Sequence, residues 1–171
     1  MKKIIALTWI ALLFTTVTVS AQQDKSKRPS PPAIVKGTLG SGTVLSIDYS
    51  QPSVKGRTIG KEIAPYGKVW RTGANEATIF EVSKDVKIDG KALAAGKYAL
   101  HSIPGEKEWT LIFNKKWQKS GTEYAEAEDA LRVAVKPVKA SSFTEKMTFT
   151  IDKNGKVSLI WGDVLVPFTV K

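Results

Sequence analysis

The sequence predicts a single-domain antiparallel β-sandwich of the jelly-roll or immunoglobulin-like kind, with about eight or nine short strands. Apolar and polar residues alternate in many short stretches, which is the period of a half-buried strand. Turn residues separate these stretches at short intervals. A helical pattern occurs in one stretch, so we expect at most one or two short helices. No internal repeat is visible, which argues against a propeller.

The first strand of the domain is predicted at residues 43–49. Its apolar side chains share one face, and Val44, Ser46 and Asp48 share the other. Residues 51–61 then form a loop, because prolines and glycines interrupt the alternation. The segment 56–62 differs from a phosphate-binding loop, because only three residues separate Gly56 from Gly60-Lys61 and Glu62 follows.

Further strands are predicted by the same alternation, at residues 77–82, 86–88, 97–103, 109–114, 131–138, 147–151, 157–161 and 164–170. Pro167 places the last strand at an edge of its sheet. Trp109 and Trp161 lie in alternating strands and are predicted to be core residues. Residues 152–155 resemble a calcium loop only in their first positions and are interpreted as a hairpin turn. A short helix capped by Thr122 is expected within residues 115–130.

The N-terminus has the features of a secretory signal peptide over residues 1–21. Lys2 and Lys3 precede an apolar run, and Val19-Ser20-Ala21 supplies the small residues of a cleavage site. The apolar run is shorter than the roughly 20 residues that a membrane-spanning helix requires. We therefore expect an exported protein, periplasmic or extracellular, with no stable membrane span after cleavage. Its lack of cysteine excludes disulfides and attached lipid.

Residues 22–33 are polar and rich in proline, which predicts a disordered linker ahead of a domain at residues 34–171. Loss of residues 1–21 leaves 24 of the 26 basic residues against 16 acidic ones, a net charge near +8. The lysines are spread along the chain and form no dense run. This distribution favours a solubilising basic surface and argues against nucleic acid as a partner.

Residues 65–78, which we call the central loop, combine aromatic, cationic, amide and acidic side chains and are punctuated by Gly67 and Gly73. Arginine offers a planar fork of donors, asparagine both donors and acceptors, and glutamate a charged acceptor. Such a set binds sugars, carboxylates or phosphates. The candidate ligand-binding residues of the loop are Tyr66, Trp70, Arg71, Asn75 and Glu76.

Each of these candidates also has a structural interpretation. Arg71 can bridge internally to Glu76 or Asn75 and so fix the loop against the sandwich, because buried polar groups need partners. Trp70 and Tyr66 can stack on a ligand ring or pack into the core.

His101 is the single histidine and completes the candidate set. Alternation places it on the strand face opposite Leu100 and Ser102, where we expect it to line a surface groove. One histidine and no cysteine leave no basis for a zinc site, and no motif indicates a cofactor. A Ser-His-Asp triad lacks its G-x-S-x-G nucleophile motif.

A set of short motifs runs through the predicted domain: Tyr49 and Pro52, Gly56-Arg57, residues 69–78, Gly96-x-Tyr98, Ile103-Pro104 and residues 109–114. Together they resemble the domain of unknown function 2911 family, exported proteins found mainly in Bacteroidetes and their relatives. The resemblance covers residues 34–170 and implies secretion and an all-β fold, without an established activity.

Three functions remain open at this point. The first is a non-enzymatic binding module for a small polar ligand, a glycan or a cell-envelope protein. The second is a hydrolase on a polar or carbohydrate substrate, with Glu76 as acid or base, Arg71 holding negative charge and a second carboxylate facing Glu76. The third is a structural envelope domain without a ligand. The second carboxylate would come from Glu81, Asp85 or Asp129.

We predict that the exported protein begins at Gln22, because the cleavage motif ends at Ala21. Intact-mass spectrometry of the exported protein measures this directly. A mass that still includes residues 1–21 contradicts the prediction.

Overall fold

In the computed structural model, which describes residues 24–118 and 123–171, ten strands form three antiparallel sheets. A six-stranded sheet has the order β1-β2-β3-β6-β7-β8, and β9-β10 and β4-β5 form two-stranded sheets. This open, sandwich-like arrangement confirms the predicted all-β fold. The strands are β1 Pro32–Thr38, β2 Val44–Ser50, β3 Thr78–Val82, β4 Val86–Ile88, β5 Lys91–Leu93, β6 Gly96–Ile103, β7 Trp109–Asn114, β8 Asp129–Val135, β9 Val138–Ile151 and β10 Lys156–Thr169.

One hydrophobic core joins the sheets. Alternate residues of β2 and β3, such as Ile47 and Phe80, are fully buried in it and meet apolar side chains of β9 and β10. A buried hydrogen bond crosses between the layers, because the amide of Phe149 donates to the hydroxyl of Tyr49 at 3.1 Å. Trp109 and Trp161 are each 1% exposed, which confirms that both are core residues.

The β9-β10 hairpin is longer than the alternation predicted. The two strands expected at 157–161 and 164–170 are one continuous strand, β10, whose register with β9 shifts on both sides of Gly162. Gly162 has φ of +56°, and these bulges let the strand bend without ending. Pro167 lies beyond the last register pair, Leu165 with Val138, so its missing N–H removes no hydrogen bond of this ladder.

Helical structure is limited to two 3-10 turns in the described residues, Lys25–Lys27 and Glu126–Glu128. Two short helices agree with the expected number. Of the short helix expected within residues 115–130, the described residues show the 3-10 turn Glu126–Glu128, which ends where β8 begins at Asp129 and pairs with β7. Thr122, its predicted cap, lies outside the described residues. Strand β5 has only three residues and was not predicted.

The division of the chain at residues 21 and 33 stays a prediction, since residues 1–21 and Gln22 lie outside the described part. Strand β1 begins at Pro32 and pairs with β2, starting with Pro32 opposite Ser50. Ahead of it, the backbone amide of Gln51 donates to the carbonyl of Pro31 at 2.9 Å. No helix in the described part of the chain is long and apolar enough to cross a membrane.

The face of the six-stranded sheet that points away from this core, which we call the outer face, carries two rows of side chains across neighbouring strands. One row runs through Asp48, Ile79, Ala99, Asn114 and Asp129, and the next through His101, Ile112 and Arg132. The described parts of the β7–β8 connection contact this face. There Tyr124 lies against the ring of His101, and Trp117 lies against Lys97. The outer face therefore holds a polar surface that is only partly covered.

Gly155, in the turn between β9 and β10, lies very close to the backbone of Val170. Its φ is +85°, and a Cβ there would lie 2.0 Å from the carbonyl oxygen of Val170. Gly56 has a similar φ of +68°, with no heavy atom within 4 Å of such a Cβ. We expect Gly56→Ala to lower the free energy of unfolding by about 1–2 kcal/mol and Gly155→Ala by about 1–3 kcal/mol more. Urea unfolding measures both losses; equal losses contradict the close approach.

Candidate functional site

The central loop divides its side chains between the core and the surface. Trp70 turns inward, because its backbone exchanges two hydrogen bonds of 2.8 Å with Ser102 of β6. Its ring stacks on Trp161 with centroids 5.3 Å apart and meets Trp109 edge-on at 6.3 Å. Of the two interpretations of Trp70, the structure therefore shows core packing.

Tyr66 is 43% exposed and lies over Gly60, where an added Cβ would stand 2.3 Å from the ring. It borders a small cavity of about 200 Å³ together with Trp109 and Val138. The other polar residues of the central loop do not line this cavity.

Arg71 fixes the loop rather than pairing with an acid. Its guanidinium donates to the backbone carbonyl of Asn75 at 2.6 Å. Asn75 has φ of +58°, and its side-chain amide donates to the carbonyl of Ser30 at 2.9 Å. The guanidinium thus satisfies the carbonyl of a strained turn, and the turn holds the segment ahead of β1. The expected internal bridge of Arg71 goes to the Asn75 backbone and not to Glu76.

Glu76 is exposed and bound by two cations from the segment ahead of β1. Its carboxylate accepts a hydrogen bond from Arg28 at 2.8 Å and lies 3.2 Å from the ammonium of Lys25. The hydrogen bond from Arg28 is the main cause that lowers the pKa of Glu76 to about 2. Glu76 is consequently a carboxylate at neutral pH and has no proton to donate there.

Beside Glu76 the outer face forms a groove of about 480 Å³. The ring of Trp117 faces it from the β7–β8 connection, and Asp48 faces it from β2. The residues that line the groove include Lys25, Asp48, Glu76, Ile79, Trp117 and Gln118. We call this the Glu76 groove.

Sequence reasoning identified only Glu76 among these groove residues. The alternation places Asp48 on the polar face of its strand. That Asp48 lies opposite Ile79 follows only from the register between β2 and β3, which the sequence does not give. Trp117 stands in a polar stretch outside the strands. The one feature of the sequence that could have identified Trp117 is a large aromatic side chain among charged residues, outside the strands.

His101 lies on the outer face, as the alternation predicted, but its ring is only 3% exposed. Tyr124 covers it, with ring centroids 5.2 Å apart, so His101 does not line an open groove. Burial is the largest influence on the ring and lowers its pKa. The nearby charge of Asp129 opposes this shift, and the positive charge of Arg71 adds to it.

A network of hydrogen bonds next to His101 holds the β7–β8 connection on the sheet. The Tyr124 hydroxyl and the Arg132 guanidinium each donate to one oxygen of Asp129 at 2.7 Å. The Asn114 amide donates to the other oxygen at 2.8 Å and to the Ala125 carbonyl at 2.9 Å. Burial is the main cause that raises the pKa of Tyr124 to about 12, so its hydroxyl remains a donor. Asp129 and Arg132 thus form an ion pair within this network.

The carboxylates proposed as partners of Glu76 each have a neighbour of their own. Asp129 is bound by the network, Glu81 lies 3.7 Å from the Lys97 ammonium, and Asp85 accepts a hydrogen bond from the amide of Ala95 at 2.8 Å. Among the described residues no group of three or more acids and histidines is arranged to hold a metal ion.

A protein-family model matches residues 30–170 of the chain. The chain belongs to the family described as "Protein of unknown function (DUF2911)". The match to DUF2911 includes the whole central loop and Trp117, whereas Lys25 and Arg28 precede the matched residues. No curated protein and no solved structure matches the chain.

His101 predicts how stability depends on pH. Because its pKa in the folded protein is below the ordinary value of 6.5, the unfolded chain binds this proton first as the pH falls. The stability contributed by the neutral ring is therefore complete above pH 6.5 and declines below it.

We expect the difference in free energy of unfolding between the natural protein and His101→Gln to become smaller between pH 7.5 and pH 5. Urea unfolding across this range measures the difference. Glu76 does not interfere, because its pKa is 4.5 in the unfolded chain and about 2 in the folded protein. Its effect on stability therefore falls at lower pH than that of His101. A difference that stays constant over the range contradicts the assignment.

Proposed function

We propose that this protein is an exported, non-enzymatic binding domain that takes a small polar ligand, such as a saccharide, in the Glu76 groove. The observation that carries the proposal is the groove itself. Its volume of about 480 Å³ lies in the range of about 300–1,000 Å³ that is usual for small-molecule sites.

The groove also has the chemical groups that a small polar ligand requires. Trp117 offers an aromatic face, and aromatic side chains supply much of the energy at binding sites. Asp48 and Glu76 supply acceptors, and Gln118 supplies an amide with both donors and acceptors. Of these groups, Asp48 lies in strand β2 and Glu76 lies in the central loop, two residues before β3. Trp117 and Gln118 come from the β7–β8 connection.

Binding is better supported than hydrolysis. A general acid needs a pKa close to the working pH, and the pKa of Glu76 is about 2. Arg71 donates to the Asn75 carbonyl, so it is already engaged within its own loop. The exposed Glu76 beside an open groove also disfavours a purely structural envelope domain.

The leader features at residues 1–21 support export, to the periplasm or beyond the cell. A binding domain in that location meets envelope saccharides and other small polar molecules. Its excess of basic residues is consistent with a soluble domain close to an acidic envelope surface.

A screen of glycans and polar metabolites against the exported chain tests the proposal. We expect a ligand whose affinity falls about tenfold in Trp117→Ala, because the ring face is lost. Isothermal titration calorimetry measures the affinity, and thermal unfolding checks that the variant is folded.

Tyr66→Ala is the matched control, since Tyr66 is an exposed aromatic residue that borders a different cavity. The affinity of Tyr66→Ala for the ligand found in the screen should equal that of the natural protein. A ligand lost in Tyr66→Ala and retained in Trp117→Ala would move the site away from the groove. A screen without any ligand would support the structural alternative.

A further inference from the structure

We infer that the ligand of the Glu76 groove carries a positively charged nitrogen, an ammonium or guanidinium group, and that Lys25 and Arg28 occupy the same carboxylate until that ligand displaces them. This inference rests on the proposed function and adds the ligand's charge to it. It also assigns a role to the segment ahead of β1.

The first argument is that Glu76 already selects cations. Two cationic groups reach its carboxylate, the Arg28 guanidinium at 2.8 Å and the Lys25 ammonium at 3.2 Å. They come from the two ends of one 3-10 turn and approach the same oxygen of the carboxylate. A carboxylate accepts hydrogen bonds from both kinds of group with added strength from the opposite charges.

The second argument concerns Trp117. The Lys97 ammonium lies 5.2 Å from the centroid of this ring, within the distance at which an aromatic face attracts a cation. Trp117 is a lining residue of the groove, so one residue of the groove already binds an ammonium group of the chain itself. This contact is independent of Glu76 and points to the same ligand chemistry.

The third argument is the charge that remains when the segment leaves. Asp48 forms no ion pair with any residue in the described part of the chain, and it faces the groove. Once Lys25 and Arg28 have moved away, the charged residues that line the groove in the described part of the chain are Asp48 and Glu76, both acidic. Two negative charges in one groove of a chain with net charge +10 favour a cation over an anion.

The contacts of the segment are suited to displacement. The side chains of Lys25 and Glu76 are 57% and 52% exposed, and that of Arg28 is 27% exposed. Ion pairs that solvent reaches hold weakly. The chain is held further along, where Asn75 binds the carbonyl of Ser30 and Gln51 binds that of Pro31. These anchors keep the two cations near Glu76 at a high effective concentration, while an external cation can still replace them.

The test compares two probes against the exported chain by isothermal titration calorimetry. The probes are spermidine and the capped peptide acetyl-Lys-Ser-Lys-Arg-amide, which copies residues 25–28. The double variant Lys25→Gln/Arg28→Gln removes the internal cations. We expect it to bind at least one probe about two- to fivefold more tightly than the natural protein, the range expected for losing a weak competing ion pair. Adding Glu76→Gln should then weaken binding about tenfold.

The matched control is Lys107→Gln/Lys153→Gln, which removes the same charge from two exposed lysines away from the groove. Its affinities should equal those of the natural protein. Equal tightening in both double variants, or binding that survives Glu76→Gln, overturns the inference. Binding of spermidine alone indicates that the ligand is a free polyamine, and binding of the peptide alone indicates a basic segment of another protein. Either outcome supports the inference of a cationic ligand.

The two proposals fail in different ways. If a neutral saccharide binds through Trp117 and neither cationic probe binds, the charge inference is wrong and the proposed function stands. If no saccharide binds and both probes bind in a Glu76-dependent way, the groove is a binding site for cations specifically. Absence of any binding to the Lys25→Gln/Arg28→Gln variant rejects the inference.

Discussion

The ring of Trp70 lies between Trp109 of one sheet and Trp161 of the other, and much of the structure depends on this stack. An irregular loop of polar residues would not keep one position on a sandwich without a buried anchor. The stacked indole supplies apolar contact, and the paired hydrogen bonds to Ser102 satisfy the backbone where the loop meets β6. Because Trp70 points inward, the next residue, Arg71, reaches the outer face and closes the turn that presents Glu76.

The outer face shows how two neighbouring regions of one sheet acquire different properties. Around Asp129 every polar group of the network has a partner, which fixes the β7–β8 connection and buries His101 beneath Tyr124. One row away, at Asp48 and Ile79, the same sheet is open and forms the Glu76 groove. The hydrogen-bonded network around Asp129 holds the β7–β8 connection against the sheet. The uncovered part of the face, at Asp48 and Ile79, leaves room for a ligand.

Charge gives the groove its character. The chain is basic overall, yet the carboxylate of Glu76 is exposed and ionised, and Lys25 and Arg28 of the segment ahead of β1 neutralise it. An interaction of this kind is screened by salt and exchanges readily. A buried ion pair would have made the loop part of the framework, whereas this exposed pair allows the groove to exchange one cation for another.

The sequence by itself determined the sandwich, most strand positions and the burial of Trp109 and Trp161, because alternation and turn residues are local signals. The unusual composition of the central loop also marked it as the candidate site. The sequence did not reveal that β10 is continuous through its bulges, because a bulge interrupts the alternation as an ordinary turn does.

Only the tertiary structure decided which polar side chains meet. Arg71 and Glu76 are five positions apart, yet one binds a backbone carbonyl and the other binds Arg28, 48 positions away in the sequence. The groove joins Asp48, Glu76 and Trp117 from three separate segments. Sequence spacing carries no information about such contacts, because strand register and loop direction result from packing of the whole core.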